Sequence, residues 1–265
     1  MRSLLVILAL VSACGAPRHG GTSAPPDAAG AGVLPTPKLA VGDRFALTLT
    51  MGMDQEVSRE GQTLLLKMEE RSAGEATVTE AGDGRARRVA IRVTSAEAIH
   101  YVDGEPRVST LASIGREYEV IDQPGDARSL VRRPGGDAIA GKEADVPRRL
   151  ANLLFPARTE AVRVPVGGTV PADALIDPPG EGGRLEGTFT LGAATAACAA
   201  PFTGRFAGRH VEDDATMEVD MAGTLCGDPS LGLLVGERLE GTLRIEGPQL
   251  GGQGGLTTTH SVRKL

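Results

Sequence analysis

The sequence predicts an all-β fold, a curved antiparallel sheet or half-barrel with one short helix against it, and three observations predict it. From Val41 onward, apolar and polar residues alternate with the period of two that a half-buried strand requires. The alternating segments are punctuated by Gly, Pro and Asp, residues of tight turns. Helical spacing of apolar residues stands out in one place, around Pro147 to Leu154.

Taken in order, "RFALTLTM" puts Phe45, Leu47, Leu49 and Met51 on one face and Ala46, Thr48 and Thr50 on the other. "QTLLLKMEE" repeats the pattern with Leu64, Leu66 and Met68, and Gly61 between them suits a hairpin turn. "EATVTE" and "RRVAIRVTS", joined by "AGDG", read as a second hairpin in which Val89, Ile91 and Val93 face one way. "AIHYV" and "RVSTL" flank "DGEP", and "REYEVI" and "RSLVRR" flank "DQPGDA", which completes an antiparallel meander. In "ADVPRRLANLLF", Pro147 suits a first helical turn and Leu150, Leu153 and Leu154 share a face, so a helix is predicted from Pro147 to Leu154, ended by Pro156. Such a helix would cover one face or open end of the sheet. Further on, "RLEGTFTL" at Arg184 is echoed by "RLEGTLRI" at Arg238, which reads either as two equivalent strands of a duplicated sheet or as coincidence in a Gly- and Leu-rich chain. Met217, Val219 and Met221 alternate with Glu218 and Asp220, and "GGLTTTHSVRKL" supplies a closing strand.

The N-terminus has a different character. Arg2 precedes an apolar run from Leu4 to Val11, which is far short of the roughly 20 residues of a membrane span and reads as an export signal. The run ends in Val11, Ser12, Ala13 and Cys14, which match position by position the lipobox and so resemble the processing site of bacterial lipoproteins. The resemblance implies that residues 1–13 are removed, that Cys14 carries diacylglycerol and an acylated amine, with palmitate-type chains, and that the protein is anchored in a membrane of the cell envelope. Several acyl chains at about 0.8 kcal/mol per buried CH₂ hold firmly where one is marginal. Gly15, in place of an Asp after the cysteine, resembles the sorting signal for the outer membrane, facing the periplasm or the exterior. Residues 14–37, rich in Gly, Pro and Ala, read as a tether that spans roughly 25 to 30 Å as a flexible chain. The β-rich domain then occupies 38–265, with a division into 38–160 and 161–265 as an alternative.

With Cys14 lipidated, Cys198 and Cys226 remain, and in an oxidising compartment they are expected to pair. The full chain has 28 Lys and Arg against 34 Asp and Glu, a net charge of −6, and the loss of Arg2 with the leader makes it −7. Its densest basic cluster is the short "GRARR" at Gly84, so a nucleic-acid partner is excluded. With seven Phe and Tyr and no Trp, stacking on polysaccharide or single-stranded nucleic acid is equally disfavoured.

No nucleophile elbow, zinc-binding helix motif or phosphate loop occurs. "HVEDD" gathers His210, Glu212, Asp213 and Asp214, yet neighbours on a strand face opposite ways, so a turn at Asp213 and Asp214 is expected instead of a metal site. No catalytic residue, metal or cofactor is assigned, and the protein is read as no enzyme. Beyond the lipobox, the strand pattern resembles that of uncharacterised envelope lipoproteins and the half-barrel of periplasmic lipoprotein carriers. The expected function is therefore a membrane-anchored binding module whose concave face takes a lipid or other apolar ligand, lined by Phe45, Leu47, Leu49, Val89, Ile91 and Val93. The rival is an envelope scaffold that fills this concavity with side chains and works through an exposed patch or edge.

Overall fold

The computed structural model describes residues 32–59, 62–102, 105–123, 129–155, 160–176, 183–212, 215–247 and 251–265. Its centre is a 12-stranded antiparallel sheet. The first half of the chain supplies β2 (Arg44–Arg59), β3 (Gln62–Gly82), β4 (Arg85–Val102), β5 (Glu105–Thr110), β6 (Glu117–Ile121) and β7 (Leu130–Arg132). The second supplies β9 (Thr169–Pro171), β10 (Arg184–Leu191), β11 (Ala200–Glu212), β12 (Ala215–Asp228), β13 (Leu233–Glu246) and β14 (Gly251–Lys264). Their spatial order is β7-β6-β4-β3-β2-β14-β13-β12-β11-β10-β9, with β5 pairing the far part of β4. Because the last strand docks beside β2, one continuous ladder joins the two halves. A separate pair is formed by β1 (Gly32–Leu34) and β8 (Val162–Val164).

The pleat explains which face is inside. Odd residues of β2 from Phe45 to Val57 stand opposite Ala76, Gly74, Ser72, Glu70, Met68, Leu66 and Leu64 of β3, and this set shares its face with the helix α1 (Lys142–Asn152). The opposite face, with Thr48, Asp54, Glu56, Lys67 and Arg71, is polar and mostly exposed. Five glycines of the inner face mark where the sheet curls: a Cβ at Gly187, Gly204, Gly223, Gly241 or Gly254 would come within 1.9 to 2.3 Å of a carbonyl oxygen of the neighbouring strand. Only a residue without a side chain permits that approach.

Two apolar cores fill parts of the inner face. Under α1, Phe45, Leu47, Ile91, Val93, Tyr118 and Val120 pack with Val146, Leu150, Ala151 and Leu154. At the other flank, Phe189, Phe202, Phe206, Met217, Met221, Leu225 and Leu243 pack with Val170 of β9 and with Leu34, Val162 and Leu175 from outside the main sheet. Between β1 and β2 a strap crosses the base of the sheet, where Lys38 N–H donates to the Leu231 carbonyl and Leu39 N–H to that of Gly84. Gly232 and Gly84, both with positive φ, leave room for its carbonyls, those of Thr36 and Pro37.

Several expectations are refined. "QTLLLKMEE" and "EATVTE" are one 21-residue strand, and β4 likewise merges two predicted strands, because register shifts at Ala73/Gly74 and near Glu80 bend the pair without breaking it. The helix begins at Lys142, so Pro147 is inside it and not in its first turn. Gly141 at φ +73, with its carbonyl accepting from Ala144 N–H, turns the chain into the helix earlier. The tether expected through Pro37 gives way to β1 at Gly32. The echoed "RLEGT" segments are β10, near one edge, and β13, in the interior, and their glycines, Gly187 and Gly241, play the same role in the curl. The pairing of Cys198 with Cys226 is present and ties the 192–199 loop to β12.

Candidate functional site

Of the residues expected to line a ligand site, Phe45, Leu47, Val89, Ile91 and Val93 are brought together on the inner face, but at 0 to 1% exposure they lie within the core beneath α1. Leu49 differs: it is half-buried and packs against the margin of that core. Beyond it the inner face continues as a strip outside both cores, in which Gln55 and Val57 are 1% exposed and their neighbours are more open. Met51 and Met53 on β2, with Leu66 and Met68 on β3, are half-buried, and Leu64 is 45% exposed. Register makes them neighbours, Met53 opposite Met68 and Val57 opposite Leu64. Leu49 touches the first core and Met53 the second, so the strip joins the two packed regions and is the candidate floor of a groove on the inner face. The wall towards β13 is apolar as well, with Leu256 opposite Met53 and Gly241, and Leu243 opposite Gly254.

Methionine is the residue that distinguishes this surface. All five described methionines, Met51, Met53, Met68, Met217 and Met221, point to the inner face. Their unbranched thioether side chains adapt to irregular apolar shapes, as at surfaces that accept varied ligands. The alternation of each segment was legible in the sequence, but which end of a long strand the helix would leave open was not.

Two polar arrangements flank the groove floor. Opposite Met51 on β3, Glu70 forms a buried ion pair with Arg149 of α1, each residue 6% exposed. Burial lowers the Arg149 guanidinium well below its ordinary value, to about 10. On the other side, Thr258 Oγ1 donates to Glu237 Oε1 at 2.6 Å, and His260 Nδ1 lies 3.6 Å from Glu237 Oε2. Burial opposes ionisation of Glu237, yet the hydrogen bond and charge of His260, with the Thr258 hydroxyl, outweigh it and hold the carboxyl below its ordinary 4.5. The first is an ion pair that fastens helix to strand, and in the second, on β13 and β14, His260 Nε2 is buried with no hydrogen-bond partner among the described residues.

His210 is buried on the inner face of β11. Asp213 and Asp214 lie outside the described residues, and among the described residues no group of three His, Cys, Asp or Glu could hold a metal ion.

No family model and no curated protein matches the chain. A solved structure described as "Lipid-protein interactions in lipovitellin" superposes with a TM-score of 0.45 at 7% identity, over 85% of this chain and 25% of that one. The chain thus spans about a quarter of that protein's length, and a likeness at this level assigns no function.

Proposed function

We propose that the chain is an exported, lipid-anchored, non-catalytic protein of the bacterial envelope that shelters an apolar ligand, an acyl chain or lipid, in the groove of its curved sheet. The observation that carries the reading is the strip of Leu49, Met51, Met53, Leu64, Leu66 and Met68, apolar side chains that stay half-buried or exposed between two packed cores and are interrupted by the buried Gln55. An acyl chain laid on it gains about 0.8 kcal/mol for each CH₂ removed from water, with no side chain of the cores displaced. The address rests on Val11 to Cys14 and places the protein on a membrane through lipid at Cys14, the outer membrane being favoured by Gly15.

The test is native mass spectrometry of a Cys14→Ser form exported to a periplasm, with extracts of the denatured protein searched for lipid. A stoichiometric lipid that is lost in a Met53→Asp variant with unchanged thermal unfolding supports the reading, and a bare polypeptide mass in both overturns it.

A scaffold role is the second reading, and β5 favours it. All six of its residues are exposed, Val108 to 61%, and β5 pairs only with β4, which leaves one edge open. Pro106 and Arg107 blunt that edge as a template for further strands. Cross-linking on intact membranes that captures a protein partner through β5 would bring this reading forward.

A further inference from the structure

One residue of the groove has the wrong chemistry for its position. Gln55 follows Met53 on the inner face of β2, is 1% exposed, and neither Oε1 nor Nε2 has a hydrogen-bond partner among the described residues. Its register partners are Leu66 on β3 and Gly254 on β14, and Gly252 is the next inward-facing residue along β14. Gln55 therefore has an apolar side chain on one flank and bare backbone on the other. A buried amide left without partners is expensive, and native folds retain one when something not part of the chain completes it.

We propose that Gln55 reads the polar head of the ligand held in the groove, and that this head carries a donor and an acceptor side by side: an acyl chain ending in a protonated carboxylic acid or in an amide. The assignment rests on the groove being a ligand site. The Gln side chain offers one carbonyl acceptor and an NH₂ donor in one plane. An amide or a neutral carboxylic acid satisfies both at once in a cyclic pair. An ester supplies acceptors only and leaves Oε1 unmet. An ionised carboxylate also leaves Oε1 without a donor and brings an unpaired charge into an apolar site. The Met53, Leu66 and Met68 side chains beside Gln55 then take the first methylenes of the chain.

The experiment uses the whole chain with Cys14→Ser and measures displacement of a fluorescent acyl probe by palmitic acid, palmitamide, methyl palmitate and hexadecane, in the native protein and in Gln55→Met and Gln55→Leu. The expected result is that palmitamide at any pH, and palmitic acid only below its own pKa, bind roughly tenfold or more tightly than the methyl ester, and that both variants lose this preference while still binding hexadecane. Both variants should melt at or above the native temperature, since each removes an unmet amide while keeping the volume filled. If palmitamide wins and the acid does not, the head is an amide; the reverse result, confined to low pH, names the acid. A preference for the amide or acid that persists in Gln55→Met and Gln55→Leu overturns the role of Gln55, as does equal binding of the ester by the native chain. If the native chain binds none of the four, the groove itself is not a ligand site, and both readings fall.

Discussion

Arg149 and Glu70 form an ion pair that a hydrophobic core does not need for cohesion. Both are 6% exposed, and the cost of drying two charges is recovered only while each has the other. Arg149→Met alone leaves the Glu70 carboxylate in an apolar seam and is expected to cost about 3–5 kcal/mol in urea unfolding, whereas Arg149→Met with Glu70→Leu should recover most of that loss. Glu237 titrates in the opposite sense to a bare buried acid, because His260 and Thr258 stabilise its ionised form. Its folded-state value lies below the ordinary 4.5, so its stabilisation is complete above that pH and is lost as pH falls from 4.5 through the folded-state value. Glu237→Gln should therefore flatten the acid limb of a melting temperature against pH curve by lowering the melting temperature at neutral pH, where that stabilisation is complete, and by changing little in acid below the folded-state value. Asp43, also depressed despite the opposing effect of burial, because Lys264 and the Ala40 N–H bind its carboxylate, keeps part of that limb in the variant.

α1 is held by an apolar stripe and by one carboxylate at its start. Leu150 and Leu154 are wholly buried, and Gly74 beneath Leu150 leaves space that a Cβ would take, 3.1 Å from Leu150 Cδ1. Leu150→Ala is expected to cost about 2–5 kcal/mol in chemical denaturation and to raise exposure of the inner face to an apolar dye. In the first turn, Glu143 Oε1 accepts from Arg133 at 2.9 Å, Arg116 at 2.8 Å and Tyr118 at 3.3 Å, which draws β6 and the segment after β7 onto the helix. At the other side of the sheet, reduction of Cys198–Cys226 frees the 192–199 loop, with an expected loss of about 3.5 kcal/mol for closing a loop of that length. Much at this scale was legible in the sequence. Period-two runs marked the long strands, because one face of an antiparallel sheet meets a core and the other meets water, while the three-residue strands β1, β8 and β9 are too short to show a period. The length of β3 was not legible, since Gly74 carries the same turn-like signal whether a chain reverses or bulges and continues. The start of α1 was hidden for a related reason: Pro147 signals a first turn, while burial of Ala144 and Val146 carries the helix a turn further back. The groove was legible only as far as Leu49, because alternation tells which residues face inward and says nothing about how far along the strand a helix will cover them.

At the scale of the whole sheet, curvature decides whether an inner face exists at all. Strands as long as β2, β12, β13 and β14 would form a flat, open surface if each inward position carried a side chain, and both apolar cores and the groove floor would then face water. The sequence avoids this by placing Gly187, Gly204, Gly223, Gly241 and Gly254 on successive strands at the inner face, where adjacent backbones come too close for a Cβ. Gly241 is the most constrained, with its missing Cβ 1.9 Å from the Asp220 carbonyl oxygen and 2.8 Å from Met221 Cα. It also sits directly opposite Leu256 and Met221, so relief of the clash moves the second core and the groove wall together. Gly251, at the start of β14, is an internal control: the nearest atom to a Cβ there is the Ile245 carbonyl oxygen at 3.9 Å. Gly241→Ala is therefore expected to cost about 3 kcal/mol or more in thermal or chemical unfolding, and Gly251→Ala less than about 1 kcal/mol. If the curl is what forms the groove, Gly241→Ala under native conditions should also release a bound lipid while its far-ultraviolet strand signal persists. Equal stability of the two variants would show that β12 and β13 can separate at no cost, and that the curl is set elsewhere in the sheet.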